Sequence, residues 1–182
     1  RLTNTQSDFG MQYDSLSDMV SFGIAPAVVS YAWGLSNLGK IGIAAAFVYA
    51  SCAALRLARF NVQSGHTDER QFTGLPSPAA AALVAGFIGS VQGLQSQIMF
   101  ALAAFLTAVA GLLMVSNLKY PSFKGLDLRD KVPFVVIFSI AMGFVVITID
   151  PPRVLFLMAF AFAFFAPLMP ILAKIRHREK CL

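Results

Sequence analysis

Residues 10–29, GMQYDSLSDMVSFGIAPAVV, place Asp14 and Asp18 one helical turn apart at the entrance to an uncharged run. An aspartate at the centre of a membrane helix costs about 2.5 to 3.5 kcal/mol, whereas each Leu, Ile, Phe or Val contributes only about 0.3 to 0.6 kcal/mol to insertion. Two acids facing lipid would cancel most of a span's insertion energy. The pair must therefore lie near the interface, line a polar cavity, or face a positive charge. At about 100° per residue, Gly10, Asp14 and Asp18 share one helical face, with a drift of about 40° at each step of four. One reading is an interfacial helix start, whose first turns favour acids through the helix dipole. That suits Asp8 and Asp14 but leaves Asp18 a turn too deep. The other is a shared cation, because carboxylates on adjacent turns repel unless a metal ion or proton lies between them. Oxygen-only ligands select a hard ion such as Mg²⁺, Mn²⁺ or Ca²⁺, and Gly10 leaves room for a ligand close to the backbone.

The remaining sequence supplies the setting. The 182 residues are 57% hydrophobic and 13% charged, with a mean hydropathy of +0.70, whereas a soluble domain is nearer half apolar and a quarter charged. This is the composition of an integral membrane protein. Crossing about 30 Å of hydrocarbon takes about 20 helical residues. Six stretches qualify: 12–34, 41–59, 78–94, 97–117, 132–150 and 153–173. The expected fold is all-α, a polytopic transmembrane helix bundle forming a single membrane-embedded domain over 1–182. SGHTDERQFTGLPSPAA (64–80) and KYPSFKGLDLRDKVP (119–133) read as loops, with Pro78 opening the next helix and His66 solvated. DPPR (150–153) reads as a tight reversal, and FLMAFAFAFFAPLMP (156–170) as a lipid-facing or packing surface. Cys52, inside a span, and Cys181, in the tail, are too far apart for a disulfide framework, and Cys52 reads as a small apolar packer.

The basic residues give an orientation. Of the 14 Lys and Arg, only Lys40 and Arg153 fall on one set of connections; the others, including Arg1, Arg56, Arg59, Lys119 and Lys124, fall on the alternate set. The positive-inside rule makes the basic side cytoplasmic. This asymmetry and attraction to anionic lipid account for the pI near 9.5 without nucleic acid. The polar opening RLTNTQSDFG has no apolar signal-peptide core. Together with the missing initiating methionine, it leads us to expect an N-terminally truncated chain.

Arg1, Gly10, Asp14 and Asp18 form R-x8-G-x3-D-x3-D. This resembles the second half of the signature of the CDP-alcohol phosphatidyltransferases, D-x2-D-G-x2-A-R-x8-G-x3-D-x3-D. TNTQSDFGMQYDSLSDMVSFGIAPA, LRLARFN, FTGLPSPAAA and LMVSNLKYPSFK are similar, in the same order, to stretches of the family's bacterial phosphatidylserine synthase branch, from residue 1 to about 125. The resemblance implies that two further aspartates lie before Arg1, that the complete protein has eight spans, and that the fragment alone is inactive.

It also implies an enzyme of phospholipid biosynthesis in the inner membrane, multi-pass and with a cytoplasmic active site. Its reaction would be metal-dependent transfer of a phosphatidyl group from CDP-diacylglycerol to the hydroxyl of L-serine, giving phosphatidylserine and CMP. Carried over from the family, Asp14 and Asp18 are ligands of Mg²⁺ or Mn²⁺, Asp18 is the candidate general base, and Arg1 and Gly10 lie at the nucleotide and phosphates. The family also suggests a homodimer. Arg56 and Arg59, neighbours on a helix, suit serine carboxylate or lipid phosphate because a guanidinium forms paired, charge-assisted hydrogen bonds; Asn61 is a further candidate. Both arginines also satisfy the topological rule, and for Lys119 and Lys124 topology is the simpler reading beside a hold on lipid phosphate. The alternatives are a sister enzyme using glycerol phosphate or inositol, a membrane cation transporter with its ion at Asp14 and Asp18, and a nonenzymatic membrane remnant or assembly subunit.

Overall fold

The computed structural model describes residues 8–63, 71–121, 142–143 and 147–165. Arg1, His66, Lys124, Cys181, the basic tail and most of the expected fifth span lie outside them.

The first helix runs without a break from Asp8 to Trp33 as α1 (Asp8–Asp18), a π-helical turn (Met19–Ile24) and α2 (Ala25–Trp33). Gly34 and a 3-10 turn, Leu35–Leu38, reverse the chain into α3 (Lys40–Gln63). Then follow β1 (Gln71–Thr73), α4 (Ser77–Ser90), α5 (Gln97–Val115), β2 (Lys119–Pro121) and α6 (Pro151–Phe165). Local chemistry sets several ends. Pro78 lies in the first turn of α4, where its missing N–H breaks no intrahelical bond. The Ser96 hydroxyl accepts the Met99 N–H at 3.3 Å and caps α5. Asp150 meets Arg153 at 3.0 Å across the start of α6, an exposed pair of small energetic weight.

The regular elements among the described residues are helical apart from one short antiparallel clip. β1 pairs with β2, Phe72 opposite Tyr120, and the Gly74 N–H donates to the Leu118 carbonyl at 2.8 Å. The clip ties the entry of α4 to the exit of α5, in stretches expected to be loops.

Packing runs chiefly in two pairs, α3 on α5 and α4 on α6, with α2 touching α3, α4 and α5. The interior is built from small residues (Ala53, Ala80, Ala110) around Tyr49, Leu75, Leu83, Val84 and Met114, and Cys52 belongs to it. Small side chains let helix backbones approach, which is how helices associate where lipid offers no hydrophobic contrast. At the α3–α5 crossing, a Cβ on Gly111 would stand 2.9 Å from the Tyr49 Cα. The Gly111→Val protein should lose about 1–3 kcal/mol to overpacking, and its melting midpoint in detergent should fall by about 2–4 °C for each kcal/mol.

The phenylalanine-rich run divides by face. Ala159 and Ala163 are buried, whereas Leu157, Met158 and Phe165 are exposed. Exposed apolar side chains also cover the other long helices, including Phe47 at 71% and Phe105 at 69%, an apolar surface of the kind that marks contact with a membrane or partner. Two helices, Lys40–Val62 and Gln97–Val115, are long and apolar enough to cross a membrane, and Ser77–Ser90 and Pro151–Phe165 are shorter apolar helices.

Candidate active site

Three elements converge at one end of the bundle. α1 carries Gly10, Asp14, Ser15 and Asp18; the last turns of α3 carry Arg56, Arg59 and Asn61; α4 begins at Ser77. A polar cluster forms here because α1 is polar along its length and the end of α3 and the start of α4 carry hydrogen-bonding side chains.

Arg56 is the hub. Its Nη1 donates to the Ser77 hydroxyl at 2.9 Å, and Ser77 is itself buried. The Asp18 carboxylate lies close enough for its charge to act on the guanidinium. The Arg56 Nε is buried and has no hydrogen-bond partner. Leaving a buried donor unmade costs about 1–3 kcal/mol, more when the group is charged. An anion supplying acceptor oxygens would satisfy it.

The neighbouring contact fixes the helices. The Asn61 Nδ2 donates to the Ser15 hydroxyl at 3.0 Å, binding the C-terminal end of α3 to α1. Of the residues singled out in the sequence, the fold thus leaves Asp18 within electrostatic range of Arg56 and sets Asn61 against α1. Asp14 and Gly10 lie on the exposed part of α1, Arg59 is half-buried on α3, and Arg1 lies outside the described residues. Sequence reasoning missed Ser15 and Ser77. The only signal for Ser77 is its place before Pro78 at a helix start, which reads as capping.

Asp14 and Asp18 suit a hard divalent ion in donor chemistry but not in number. Mg²⁺ or Mn²⁺ takes about six oxygen ligands, and among the described residues no third Asp, Glu, His or Cys joins the pair. Two carboxylates account for part of such a shell.

The sequence profile of the CDP-alcohol phosphatidyltransferase family matches residues 1–110. The chain belongs to this family. A CDP-diacylglycerol–serine O-phosphatidyltransferase of Helicobacter pylori is 37% identical over 148 residues, which cover 80% of this chain and 62% of that protein. The protein of the same name from Methanocaldococcus jannaschii is 38% identical over 149 residues, 82% of this chain and 65% of that one. An archaetidylserine synthase of Methanothermobacter thermautotrophicus is 38% identical over 118 residues, 65% of this chain and 47% of that one. The chain therefore spans less than two thirds of the length of these relatives.

Proposed function

We propose that this chain is the larger part of a phosphatidylserine synthase, transferring a phosphatidyl group from CDP-diacylglycerol to the hydroxyl of L-serine and releasing CMP. The observation that carries the reading is the Arg56 guanidinium, anchored on Ser77, facing the charge of Asp18 and retaining an unpartnered buried Nε. This is an anion-binding group beside a carboxylate, as a reaction between a diphosphate and an amino acid requires. The names of the relatives, which include serine transferases from bacteria and archaea, support serine as the acceptor.

In this reading the serine oxygen forms a bond to the lipid-linked phosphorus as the bond from that phosphorus to the CMP oxygen breaks. Asp18 takes the hydroxyl proton, and CMP leaves with the bonding pair. A carboxylate is a weak base toward an alcohol, so the proton leaves late, as the oxygen–phosphorus bond forms. Asp14 and Asp18 would hold part of the shell of a Mg²⁺ or Mn²⁺ ion. When bound, such an ion neutralises charge developing on the departing phosphate. The family signature would place further carboxylate ligands ahead of Arg1. Arg56 holds substrate phosphate or serine carboxylate, and Arg1 and Gly10 line the nucleotide.

Six spans in this chain, eight in the full-length protein, a homodimer, and an active site on the cytoplasmic face of the inner membrane complete the proposal. The basic asymmetry of the connections supports that orientation. The full-length protein given labelled CDP-diacylglycerol should release CMP with L-serine but not with glycerol phosphate or inositol. Release with either of those and not with serine would replace the substrate assignment.

A further inference from the structure

The first helix contains a feature that the reaction itself does not explain. Between Asp18 and α2 it widens into the π-helical turn Met19–Ile24, where the Ala25 N–H reaches back five residues to the Val20 carbonyl. Such turns are rare and sit at functional sites more often than elsewhere. Here Tyr49, fully buried on α3, donates its hydroxyl to the Phe22 carbonyl inside the turn at 2.9 Å. Next to it Gly23 lies against α3, where an added Cβ would stand 3.1 Å from the Cβ of Ala53.

The turn changes which side of α1 faces the bundle. α2 and the turn bury Gly23, Pro26, Ala27 and Ser30, which define the inward direction. Continued backwards as an unbroken α-helix at about 100° per residue, the chain would put Ser15 about 70°, Asp18 about 130° and Asp14 about 170° away from that direction. A π turn absorbs one extra residue, so everything before it rotates by about 100°. With it, Ser15 and Asp18 come to about 30° from the inward direction and Asp14 to about 70°. The packing agrees with the rotated arrangement: Ser15 hydrogen-bonds Asn61, Asp18 is half-buried, and Asp14 stays at the exposed edge.

We propose that the π turn at Met19–Ile24, held by the Tyr49 hydroxyl, turns Asp18 from the lipid side, and Ser15 from the flank of the helix, to the bundle side, which makes Tyr49 a positioning residue for the aspartate site. The consequence for catalysis rests on the function proposed above; the rotation does not.

The test uses the full-length protein in membranes, with Cys52→Ala and Cys181→Ala as background and disulfide formation read by mass spectrometry of linked peptides. With the native turn, Ser15→Cys should link to Asn61→Cys, and Leu16→Cys should not. Tyr49→Phe keeps the ring but removes the hydroxyl. It should let the turn relax to α, move the link from position 15 to position 16, and, with native residues at these positions, lower CMP release about tenfold. Deleting Ser21, exposed within the turn, removes the extra residue and preserves the rotated phase through plain α-helix. In the Tyr49→Phe protein that deletion should return the link to position 15 and activity to within about threefold of the starting value. Loss of packing alone would not be rescued by shortening the helix. An unchanged link in Tyr49→Phe, or a deletion that fails to restore position 15, overturns the proposal. If Tyr49→Phe does not accumulate, the Ser21 deletion alone must keep the link at position 15, and its loss there is equally decisive. If the links behave as stated but the protein with its native turn releases no CMP with any alcohol, the functional reading fails and the rotation stands.

Discussion

In the full-length protein, Asp18→Asn should reduce CMP release by about 10²–10⁴-fold, the usual worth of a positioned general base, while leaving the protein folded. The substitution is nearly isosteric at a half-buried position on α1, so no cavity opens. It removes the proposed proton acceptor and also a charge acting on Arg56. These roles separate in the kinetics. If Asp18 served only as a metal ligand, raising Mg²⁺ or Mn²⁺ would recover much of the rate. As the base, its loss persists at saturating ion. Asp14, exposed on the same helix, supplies the comparison: Asp14→Asn should raise the ion concentration needed for half-maximal release, and saturating ion should recover most of its rate. Retention of near-normal release by Asp18→Asn at ordinary ion concentration would remove Asp18 from the chemistry.

The aspartate pair stood out as a candidate because charge is expensive in lipid and few arrangements justify two acids at the mouth of a span. Hydropathy likewise located the middles of the helices, and Pro78 marked the start of α4. Helix ends were less legible where polar residues continue the helix beyond its apolar part. The second span, read as 41–59, continues as α3 to Gln63, carrying Asn61 against Ser15. The third, read as 78–94, is helical only to Ser90. The β1–β2 clip was hidden because its partners are three-residue segments separated by all of α4 and α5, a pairing no local pattern encodes. Ser15, Ser77 and Tyr49 are ordinary helix residues whose roles arise only when α1, α3 and α4 meet. The π turn is written in MVSFGI, which has no local mark; only its packing against Tyr49 and Ala53 reveals what it does.

Arg56→Lys keeps the positive charge and should still lower kcat/KM by about 100-fold. Lysine presents a single flexible ammonium, whereas arginine presents a planar fork. At position 56 that fork donates from Nη1 to the Ser77 hydroxyl and, in the proposed reaction, from the buried, unpartnered Nε to a substrate anion. A lysine ammonium placed to serve one leaves the other unmade. A hydrogen bond to a charged group contributes about 1.5–3 kcal/mol, and about 1.4 kcal/mol corresponds to a factor of ten, so losing one or two such bonds spans the stated effect. Ser77→Ala removes only the anchor and should cost about tenfold, with the guanidinium still present but less firmly aimed. Varying each substrate in turn identifies which anion the proposed role of Arg56 concerns. A raised KM for L-serine points to its carboxylate, and a raised KM for CDP-diacylglycerol to phosphate. If Arg56→Lys left both parameters within a factor of two of the native values, position 56 would need only a positive charge at the membrane face, and the topological reading of LRLARFN would be sufficient.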